Sequence, residues 1–461
     1  MIFDIDFATT TLNLPKTNNQ NLSGVSIDTR TINKGAMFAA IRGPRFDGHD
    51  YIKNAVEAGC GALLLEVTPD PLPDCPVLLV PNVLNAMEQL ATAWRYKVNP
   101  VVIAVTGSSG KTTVKELLSL CLQQHFSVVH ATHGNLNNHF GVPLTLLNMP
   151  YNSKALVVEM GMSALGEIAH LANIAKPDLG IVTNVLAAHL AAFNNIEEIA
   201  QAKGELFAEL PPGAVAVLNN RGWAKEHLLN AAKHCNTKTF SQLDDEPKKA
   251  DLIATNIKLE DGILEATLSW SDRQFVDIKL AGQGRYMIDN AMAAATALRQ
   301  VGVTPQHIVQ GLKNFSPPQG RGNRKTAKGG WQVIDDSYNA NPGSVKAAIA
   351  ALSTTPKEAR RIVILGDMLE LGKQAASLHK ELFNEIIKAG VSEVYTAGPL
   401  MKHLHERCNN EPTLSAQHRD DPADWLGVIP LQLQAGDRVL VKGSRGMKME
   451  RIVKDLISYA L

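Results

Sequence analysis

The sequence predicts an α/β protein of three domains, of which the second and third carry mainly parallel β-sheets. Its 461 residues are too many for a single hydrophobic core. Short apolar runs alternate with helical patterns along the chain, which is typical of strand–helix–strand units. Breaks at Pro81-Asn82 and at Pro317-Pro318-Gln319-Gly320 interrupt this pattern. We therefore expect domains at residues 1–82, 83–316 and 317–461.

The first domain is expected to be a small α/β unit. Helix-like stretches separate its short apolar runs, which are Met37–Ile41, Ala62–Leu65 and Val77–Val80. A connecting helix is predicted over Val83–Tyr96, before the Asn99-Pro100 break that precedes the next strand.

The second domain should contain a mainly parallel sheet followed by an antiparallel section. Continuous apolar runs predict buried parallel strands at Val101–Val105, Ala155–Val158, Leu179–Thr183 and Ala214–Leu218. Residues 251–280 instead alternate polar and apolar around the turn Glu260-Asp261-Gly262, which predicts an antiparallel hairpin. An alanine-rich helix at residues 290–300 is expected to close the domain.

The third domain repeats the strand–helix rhythm and is predicted to be a Rossmann-like, doubly wound domain. Its expected strands are Gln332–Ile334, Arg361–Leu365, Glu393–Thr396 and Arg438–Val441. Ligands of such sheets bind at the carboxyl ends of the strands.

Composition limits the choice of partners. The formal net charge is zero, with 45% apolar and 20% charged residues, which indicates neither a nucleic-acid nor an anionic-membrane partner. Five cysteines with no close pair in the sequence fit reduced thiols. The sequence shows neither a signal-peptide pattern nor an apolar run long enough for a bilayer. We expect a cytoplasmic monomer that neither binds nucleic acid nor inserts into a membrane.

The most informative stretch lies between the strand Val101–Val105 and an amphipathic stretch at Val114–Leu122. It predicts a loop that binds nucleotide phosphates, because backbone N–H groups and a helix N-terminus attract anions. Lys111 can reach the terminal phosphates, and the Thr112 hydroxyl can hold Mg²⁺. The loop is shortened, since Val105 stands where the general pattern has a glycine. Its residues are Gly107, Ser108, Ser109, Gly110, Lys111, Thr112 and Thr113.

Four further features are candidates, and each has a purely structural alternative. Glu159 ends the strand expected beside the phosphate loop, where a Mg²⁺ ligand or a merely solvated carboxylate can stand. His189 lies in an apolar run, where a lone histidine is more often a core residue. Lys203 alone would be a solvated helix lysine. The amide-rich loop Gly134–Asn138 suits either a turn or a polar ligand.

Taken together, the order of these segments resembles the Mur ligases of bacterial cell-wall synthesis over nearly the whole chain. In the first domain the resemblance rests on Ser26–Arg30, Ile41–Gly43 and Phe46–Asp50. In the second it rests on Thr106–Thr113, Gly134–Asn138 continuing through Gly141–Leu147, Glu159, His189 and Lys203–Glu205. In the third it rests on Gly320-Arg321, Asp335–Pro342, Leu365–Gly372 and Val441–Arg445.

The resemblance implies an ATP-dependent ligase that activates a carboxylate as an acyl phosphate and joins it to an amine. The run Asp335–Pro342 is the most specific to the member that adds D-alanyl-D-alanine (D-Ala-D-Ala) to UDP-N-acetylmuramoyl-tripeptide (UDP-MurNAc-tripeptide). These two compounds are therefore the implied substrates. The Asp-Asn-Pro-Arg motif of the member that adds a diamino acid does not occur in this sequence.

The family pattern also implies which residues hold ATP and two Mg²⁺ ions. Lys111 and Thr112 would bind the phosphates and one ion, with Glu159 sharing in its coordination. His189 would hold the second ion. Lys203 stands at the family's carbamylated lysine, where CO₂ converts an amine into an anionic oxygen ligand.

The remaining implied roles are in binding. Adenine would contact Asn290, and the third domain would reach the nucleotide through Arg321, Asp336 and Asn339. The UDP part of the substrate would lie at Asp28, Arg30, Asp47, Gly48 and His49, and the muramoyl-peptide part at Asn137 and Asn138. Tyr286-Met287 departs from the family, since many relatives have a His-Asn pair there. The third domain is expected to close over the second about a hinge at Pro317–Gly320.

Two alternatives stay open from the sequence. A folylpolyglutamate synthetase would share the ATP-binding domain and the acyl-phosphate chemistry, but it would not require the segments at Ser26–Arg30 and Asp47–His49. A nucleotide-dependent switch would bind ATP without making a product.

Overall fold

The computed structural model of the protein describes residues 2–43, 46–187, 190–242, 250–356 and 358–459. Within these residues the chain forms sheets of four, nine and six strands, one after another along the sequence. This mixed α/β architecture with largely parallel sheets confirms the predicted fold class. The described helices are each too short or too polar to cross a lipid bilayer. The domain bounds at residues 82 and 316 stay a prediction.

The first sheet is parallel throughout, with the strand order β1-β2-β3-β4. Strands β2, β3 and β4 coincide with the short apolar runs, because these are the segments that the small core can bury on a sheet face, whereas β1 was not predicted. The elements up to the start of the second sheet are α1 (Ile5–Thr11), β1 (Val25–Ser26), β2 (Met37–Ala39), α2 (Ile52–Glu57), β3 (Ala62–Leu65), β4 (Val77–Leu79) and α3 (Val83–Val98).

Trp94 of α3 contacts both the first domain and the second domain. Its ring lies 5.4 Å from the ring of Phe3 and 5.3 Å from that of Phe7, so α1 packs on α3. The buried indole N–H donates to the carbonyl of Met149, 2.9 Å away and just beyond helix α5 of the second sheet (Gly141–Leu147). Residues on both sides of position 82 therefore share one hydrophobic core.

All five cysteines are free thiols, as expected. The folding of the first domain nevertheless brings two of them together. Cys60 precedes β3 and Cys75 precedes the neighbouring strand β4, and their sulfur atoms are 3.8 Å apart. This proximity was not visible from their spacing in the sequence. Burial raises the pKa of the Cys60 thiol to about 12, which keeps it protonated.

The second sheet has the order β13-β12-β11-β10-β9-β8-β5-β7-β6, and only the β11-β12-β13 pairings are antiparallel among its described strands. The predicted strands and the turn at residues 260–262 are present, whereas β6 and the mostly polar β10 were not predicted. Its elements are β5 (Val101–Thr106), α4 (Lys111–Leu122), β6 (Val129–Ala131), α5 (Gly141–Leu147), β7 (Ala155–Glu159), α6 (Glu167–Ala175), β8 (Leu179–Val182), α7 (Ile196–Ala208), β9 (Val215–Asn219), α8 (Lys225–Ala231), β10 (Asn236–Gln242), β11 (Leu252–Glu260), β12 (Ile263–Trp270), β13 (Phe275–Ala281), α9 (Tyr286–Gln300) and α10 (Pro305–Lys313).

This strand order positions the phosphate loop. β5 lies between β7 and β8, with Val105 opposite Glu159 and Thr106 opposite Val182. Because the three strands are parallel, the segments that follow them emerge at the same edge of the sheet.

The third sheet has the order β14-β15-β19-β16-β17-β18, with β14 antiparallel to the rest. β19 is inserted between β15 and β16, so that Lys442 lies opposite both Asp336 and Leu365. Its elements are β14 (Asn323–Thr326), β15 (Gln332–Asp336), α11 (Pro342–Leu352), β16 (Arg361–Gly366), α12 (Ala375–Lys380), α13 (Leu382–Lys388), β17 (Glu393–Ala397), α14 (Lys402–Cys408), β18 (Ser415–Arg419), β19 (Arg438–Lys442) and α15 (Glu450–Ser458).

We predict that Trp94→Ala destabilises the first two sheets together. The substitution removes a buried ring and leaves the Met149 carbonyl without its donor, which should lower the free energy of unfolding by about 3–5 kcal/mol. Urea titration followed by circular dichroism measures the effect. Exposed Trp223 is the control, since Trp223→Ala should shift the transition by less than about 0.5 kcal/mol. Equal shifts for the two variants would contradict the shared core.

Candidate active site

The phosphate loop is a tight turn that depends on two glycines. Gly107 has a φ of 151° and Gly110 a φ of 83°, and the latter is the residue immediately before α4. A side chain at Gly107 would collide with the Thr183 hydroxyl, and one at Gly110 with the Asn290 amide. The loop can therefore adopt this conformation and packing only with glycine at both positions.

Residues after strand β8 hold this loop in place. The backbone N–H of Ser109 donates to Asn184 Oδ1 at 3.0 Å. The Ser109 carbonyl accepts from the Thr183 hydroxyl at 2.6 Å and from Asn184 Nδ2 at 3.1 Å. Sequence reasoning missed these two residues, although their place directly at the end of the strand predicted at 179–183 was an available signal.

Lys111, Thr112 and Glu159 meet at the base of the loop. Lys111 Nζ donates to the Gly107 carbonyl at 2.8 Å, within the loop itself. The Thr112 hydroxyl donates to Glu159 Oε2 at 2.9 Å, and Asn137 Nδ2 donates to Oε1 of the same carboxylate at 2.8 Å. Burial lowers the pKa of Lys111, although the Glu159 charge opposes this shift.

Lys203 projects from α7 toward the same place. It is 3% exposed, and no hydrogen bond joins it to any residue that the structure describes. Burial, followed by repulsion from Lys111, lowers its pKa well below the usual range. Glu205, two residues on, accepts from the backbone N–H groups of Gly166 and Ala169 at the start of α6 and thereby fixes α7 against it. His189 lies outside the described residues, so its predicted role stays a prediction.

The third domain contributes a buried ion pair and two guanidinium groups. Lys442 Nζ lies 2.6 Å from Asp336 Oδ2 and also donates to the Asn339 carbonyl at 2.9 Å. Burial raises the pKa of Asp336, and the Lys442 charge opposes this rise. The Arg321 guanidinium lies 4.1 Å from the Tyr338 ring centre, and that of Arg445 lies 5.4 Å from it.

These two sets of side chains face one cavity of about 870 Å³ between the second and third domains. A cavity of this size accommodates a nucleotide together with part of a second substrate. Its lining includes Ser108, Ser109, Gly110, Lys111, Thr112, Thr113, Asn137, Asn138, Glu159, Lys203, Tyr286, Asn290, Arg321, Asp336, Tyr338, Asn339, Asn341, Lys442 and Arg445.

Comparison with known proteins gives matches along all three domains. Three family models match in succession: the Mur ligase family catalytic domain at residues 21–95, the Mur ligase middle domain at 105–298, and the Mur ligase glutamate ligase domain at 320–445. A Bacillus subtilis UDP-N-acetylmuramoyl-tripeptide–D-alanyl-D-alanine ligase is 35% identical over 98% of this chain and 96% of its own. The chain belongs to the Mur ligase family.

Solved structures of Mur ligases share the whole architecture. A crystal structure of MurF from Acinetobacter baumannii has a TM-score of 0.87 and 27% identity, and the match covers 99% of this chain and 98% of that one. A Thermotoga maritima MurF ligase, solved in complex with ADP, has a TM-score of 0.80 and 29% identity over 94% and 96% of the two chains.

The structure also shows the contacts of three second-domain residues that the family resemblance predicts to bind substrates. Asn290 lies directly against Gly110 of the phosphate loop. Asn138 Oδ1 accepts from the Gly141 N–H at 2.9 Å, next to the start of α5. Asn137 contacts the Glu159 carboxylate, as described above. Their predicted contacts with adenine and with the muramoyl peptide stay predictions.

The residues predicted to bind UDP are described but do not line this cavity. Arg30 and Asp28 form an ion pair at 2.6 Å, with the arginine largely exposed. His49 Nδ1 lies 2.6 Å from Asp47 Oδ1, and its Nε2 accepts from the Glu66 N–H at 3.0 Å. The backbone of Gly48 lies against residues 40 and 41, which leaves no room for a side chain. The polar atoms of Asp47 and His49 thus serve the first domain itself, and UDP binding here stays a prediction.

We predict that Asn184→Ala weakens ATP binding. The substitution removes both side-chain hydrogen bonds to the Ser109 backbone, so the loop is no longer held in its binding conformation. The loss of two neutral hydrogen bonds should raise the Kd for ATP about tenfold or more. Isothermal titration calorimetry measures it. The exposed amide of Asn173 on α6 provides the control, and an Asn184→Ala protein with wild-type affinity would show that the loop is rigid without this residue.

Proposed function

We propose that this Mur ligase joins D-Ala-D-Ala to UDP-MurNAc-tripeptide at the expense of ATP, forming the pentapeptide precursor of peptidoglycan. The names of the relatives supply the substrates. The chemistry rests on one observation: the phosphate loop with Lys111, Thr112 and Glu159 shares a single cavity with Arg321 and Lys442 of the third domain.

The ATP phosphates fit at the start of α4. Its free N–H groups and the Lys111 ammonium offer positive charge to the γ-phosphate, and Arg321 adds more from the opposite domain. The charge of Arg321 is close enough to Lys111 to contribute to lowering its pKa. A polyanion between them relieves this repulsion.

Mg²⁺ fits the donor set beside the loop. The Thr112 hydroxyl and the Glu159 carboxylate, 2.9 Å apart and both buried, are oxygen ligands of the kind that this ion prefers. Bound there with ATP, it supplies charge neutralisation for phosphoryl transfer. No group of three His, Cys, Asp or Glu side chains in the described part of the chain converges on a metal, so phosphate and water oxygens would complete the coordination. A second ion, held in part by His189, belongs to the same proposal.

Lys203 is proposed to carry a carbamate. Its neutral amine nitrogen adds to the carbon of CO₂ and releases one proton, so that the side chain becomes an anion. Only a neutral amine can add to CO₂, and burial beside Lys111 favours the neutral form. The resulting anion would pair with Lys111 and offer oxygen atoms to the second ion.

The reaction then has two steps. The tripeptide carboxylate attacks the γ-phosphorus of ATP, which gives an acyl phosphate and ADP. The neutral amine of D-Ala-D-Ala attacks the acyl carbon and expels phosphate as the amide bond forms. Lys111 and Arg321 stabilise the negative charge that develops on phosphate and carboxyl oxygens. Residues of both domains line the cavity, and exclusion of water from it would protect the acyl phosphate from hydrolysis.

We propose that the enzyme acts in the cytoplasm as a monomer, in contact with neither nucleic acid nor membrane. The zero net charge supports the absence of a polyanionic partner. The folylpolyglutamate synthetase alternative is not favoured, because the ligase relative matches 98% of the chain, including the first domain. A non-catalytic switch gives no reason for the cationic groups that the third domain adds to the cavity.

The proposal predicts that the purified protein converts UDP-MurNAc-tripeptide, D-Ala-D-Ala, ATP and Mg²⁺ into the pentapeptide, detected by mass spectrometry. Lys111→Met should reduce the rate by at least about a hundredfold, because the transition state loses a buried cation. Exposed Lys53 on α2 offers a matched control, since Lys53→Met should leave the rate unchanged. Absence of product from the wild-type protein, or undiminished turnover in Lys111→Met, would refute the function.

The carbamate predicts a specific rescue. Lys203→Ala should lose activity, and a small carboxylate such as formate or acetate should restore part of it by supplying the missing anionic oxygens. Rates measured with and without the added carboxylate check this. Lys203→Met keeps the volume of the site filled and should respond less. Unchanged turnover in Lys203→Ala would remove the carbamate from the mechanism.

A further inference from the structure

Asn341 is the point at which the third domain is hydrogen-bonded to the phosphate loop. Its side-chain Nδ2 donates to Ser109 Oγ at 3.0 Å, between residues 232 positions apart in the chain. Asn341 is 9% exposed and Ser109 is half-buried, so this bond lies partly buried in the wall of the cavity. The sequence motif Asp335–Pro342 contains Asn341, but no role at the site followed from it.

Capping of a helix accounts for the other polar atoms of Asn341. Oδ1 accepts from the Ser344 N–H at 2.8 Å, and the backbone N–H of Asn341 donates to Ser344 Oγ at 3.0 Å. This reciprocal pair closes the start of α11. Since Oδ1 must face the N–H of Ser344, the amide NH₂ group must face Ser109. Serine, threonine or aspartate would cap the helix as well as asparagine, so capping alone does not require an NH₂ group here.

A second contact brings the same helix start against the loop. Gly343 lies so close to Leu186 that a β-carbon on the glycine would be 2.9 Å from that side chain. The backbone N–H and carbonyl of Leu186 are both hydrogen-bonded to the hydroxyl of Ser108, at 2.9 Å and 3.0 Å. The start of α11 therefore rests on Ser109 directly and on Ser108 through Leu186.

We propose that Asn341 is a positioning residue that makes the geometry of the phosphate loop depend on the seating of the third domain. The bond to Ser109 forms only when α11 lies against the loop, which is also when Arg321 lines the cavity opposite Lys111. The loop is thus held by Asn341 in the same arrangement that brings the Arg321 charge to the phosphate site. The expected effect on kcat rests on the proposed function, whereas the hydrogen bond between Asn341 and Ser109 is observed independently of it.

A double-mutant cycle tests the inference. Asn341→Ser keeps a capping hydroxyl but is too short to reach Ser109, and Ser109→Ala removes the acceptor. We expect each single variant to lower kcat for pentapeptide formation roughly three- to tenfold, the value of one neutral hydrogen bond. The KM for ATP should change less than about twofold, because the hydrogen bonds from Asn184 still hold the Ser109 backbone for nucleotide binding. The double variant should be no slower than the slower single variant.

Asn82→Ser is the matched control. Asn82 caps α3 in the same way, through a 2.8 Å bond to the Asn85 N–H, and is exposed away from the cavity. Its replacement by serine should leave kcat unchanged, which shows that exchanging an asparagine cap for a serine cap has no kinetic effect of its own. Wild-type kcat in Asn341→Ser, or losses that multiply in the double variant, would overturn the inference.

Hydrogen exchange separates this inference from the proposed function. Amide exchange in a peptide spanning residues 107–113 should be faster in Asn341→Ser than in the wild-type protein, and unchanged in Asn82→Ser. This measurement needs no turnover. If the wild-type protein made no pentapeptide, the proposed function would fail while the exchange rates would still decide the role of Asn341. Equal exchange in Asn341→Ser and wild type would refute that role.

Discussion

The site depends first on the fixed position of the phosphate loop between two neighbouring strands. Strand β5 delivers the loop, β8 holds it through Thr183 and Asn184, and β7 meets it through the hydrogen bond from Thr112 to Glu159. Because the three strands are paired in one parallel sheet, none can slide without breaking its ladder. The loop is therefore held in shape by the protein itself, which lowers the conformational entropy that the loop must lose when a nucleotide binds.

Buried charge is the second organising feature. Lys111 and Lys203 lie in one buried site, and burial lowers the pKa of each amine. Across the cavity, Asp336 and Lys442 neutralise each other and stay fixed. Unpaired buried charge is unfavourable in the protein alone and becomes favourable when an anion is bound. The phosphate groups of ATP and the carbamate that we propose would supply negative charge to this site.

Much of the fold and part of the site could be predicted from local pattern. The apolar runs located the principal strands within one or two residues, since buried parallel strands need continuous apolar sequence. β10 and β18 were missed because their residues are largely polar, although the carboxyl-terminal half of β10, including Phe240, is buried. Thr183, Asn184 and Asn341 were missed as site residues for a related reason. Each acts through a hydrogen bond to a residue far away in the chain, and no local spacing records such a bond.

The sequence by itself determined the loop chemistry, the α/β class and the family, because glycine placement, apolar periodicity and motif order are properties of consecutive residues. Tertiary structure alone decided which residues share the cavity. The insertion of β19 between β15 and β16 places Lys442 beside Asp336, although 106 positions separate them. The seating of α11 likewise joins Asn341 to Ser109 across the domain boundary. Strand order and domain contacts arise from the packing of the whole chain. The local pattern of consecutive residues does not specify them.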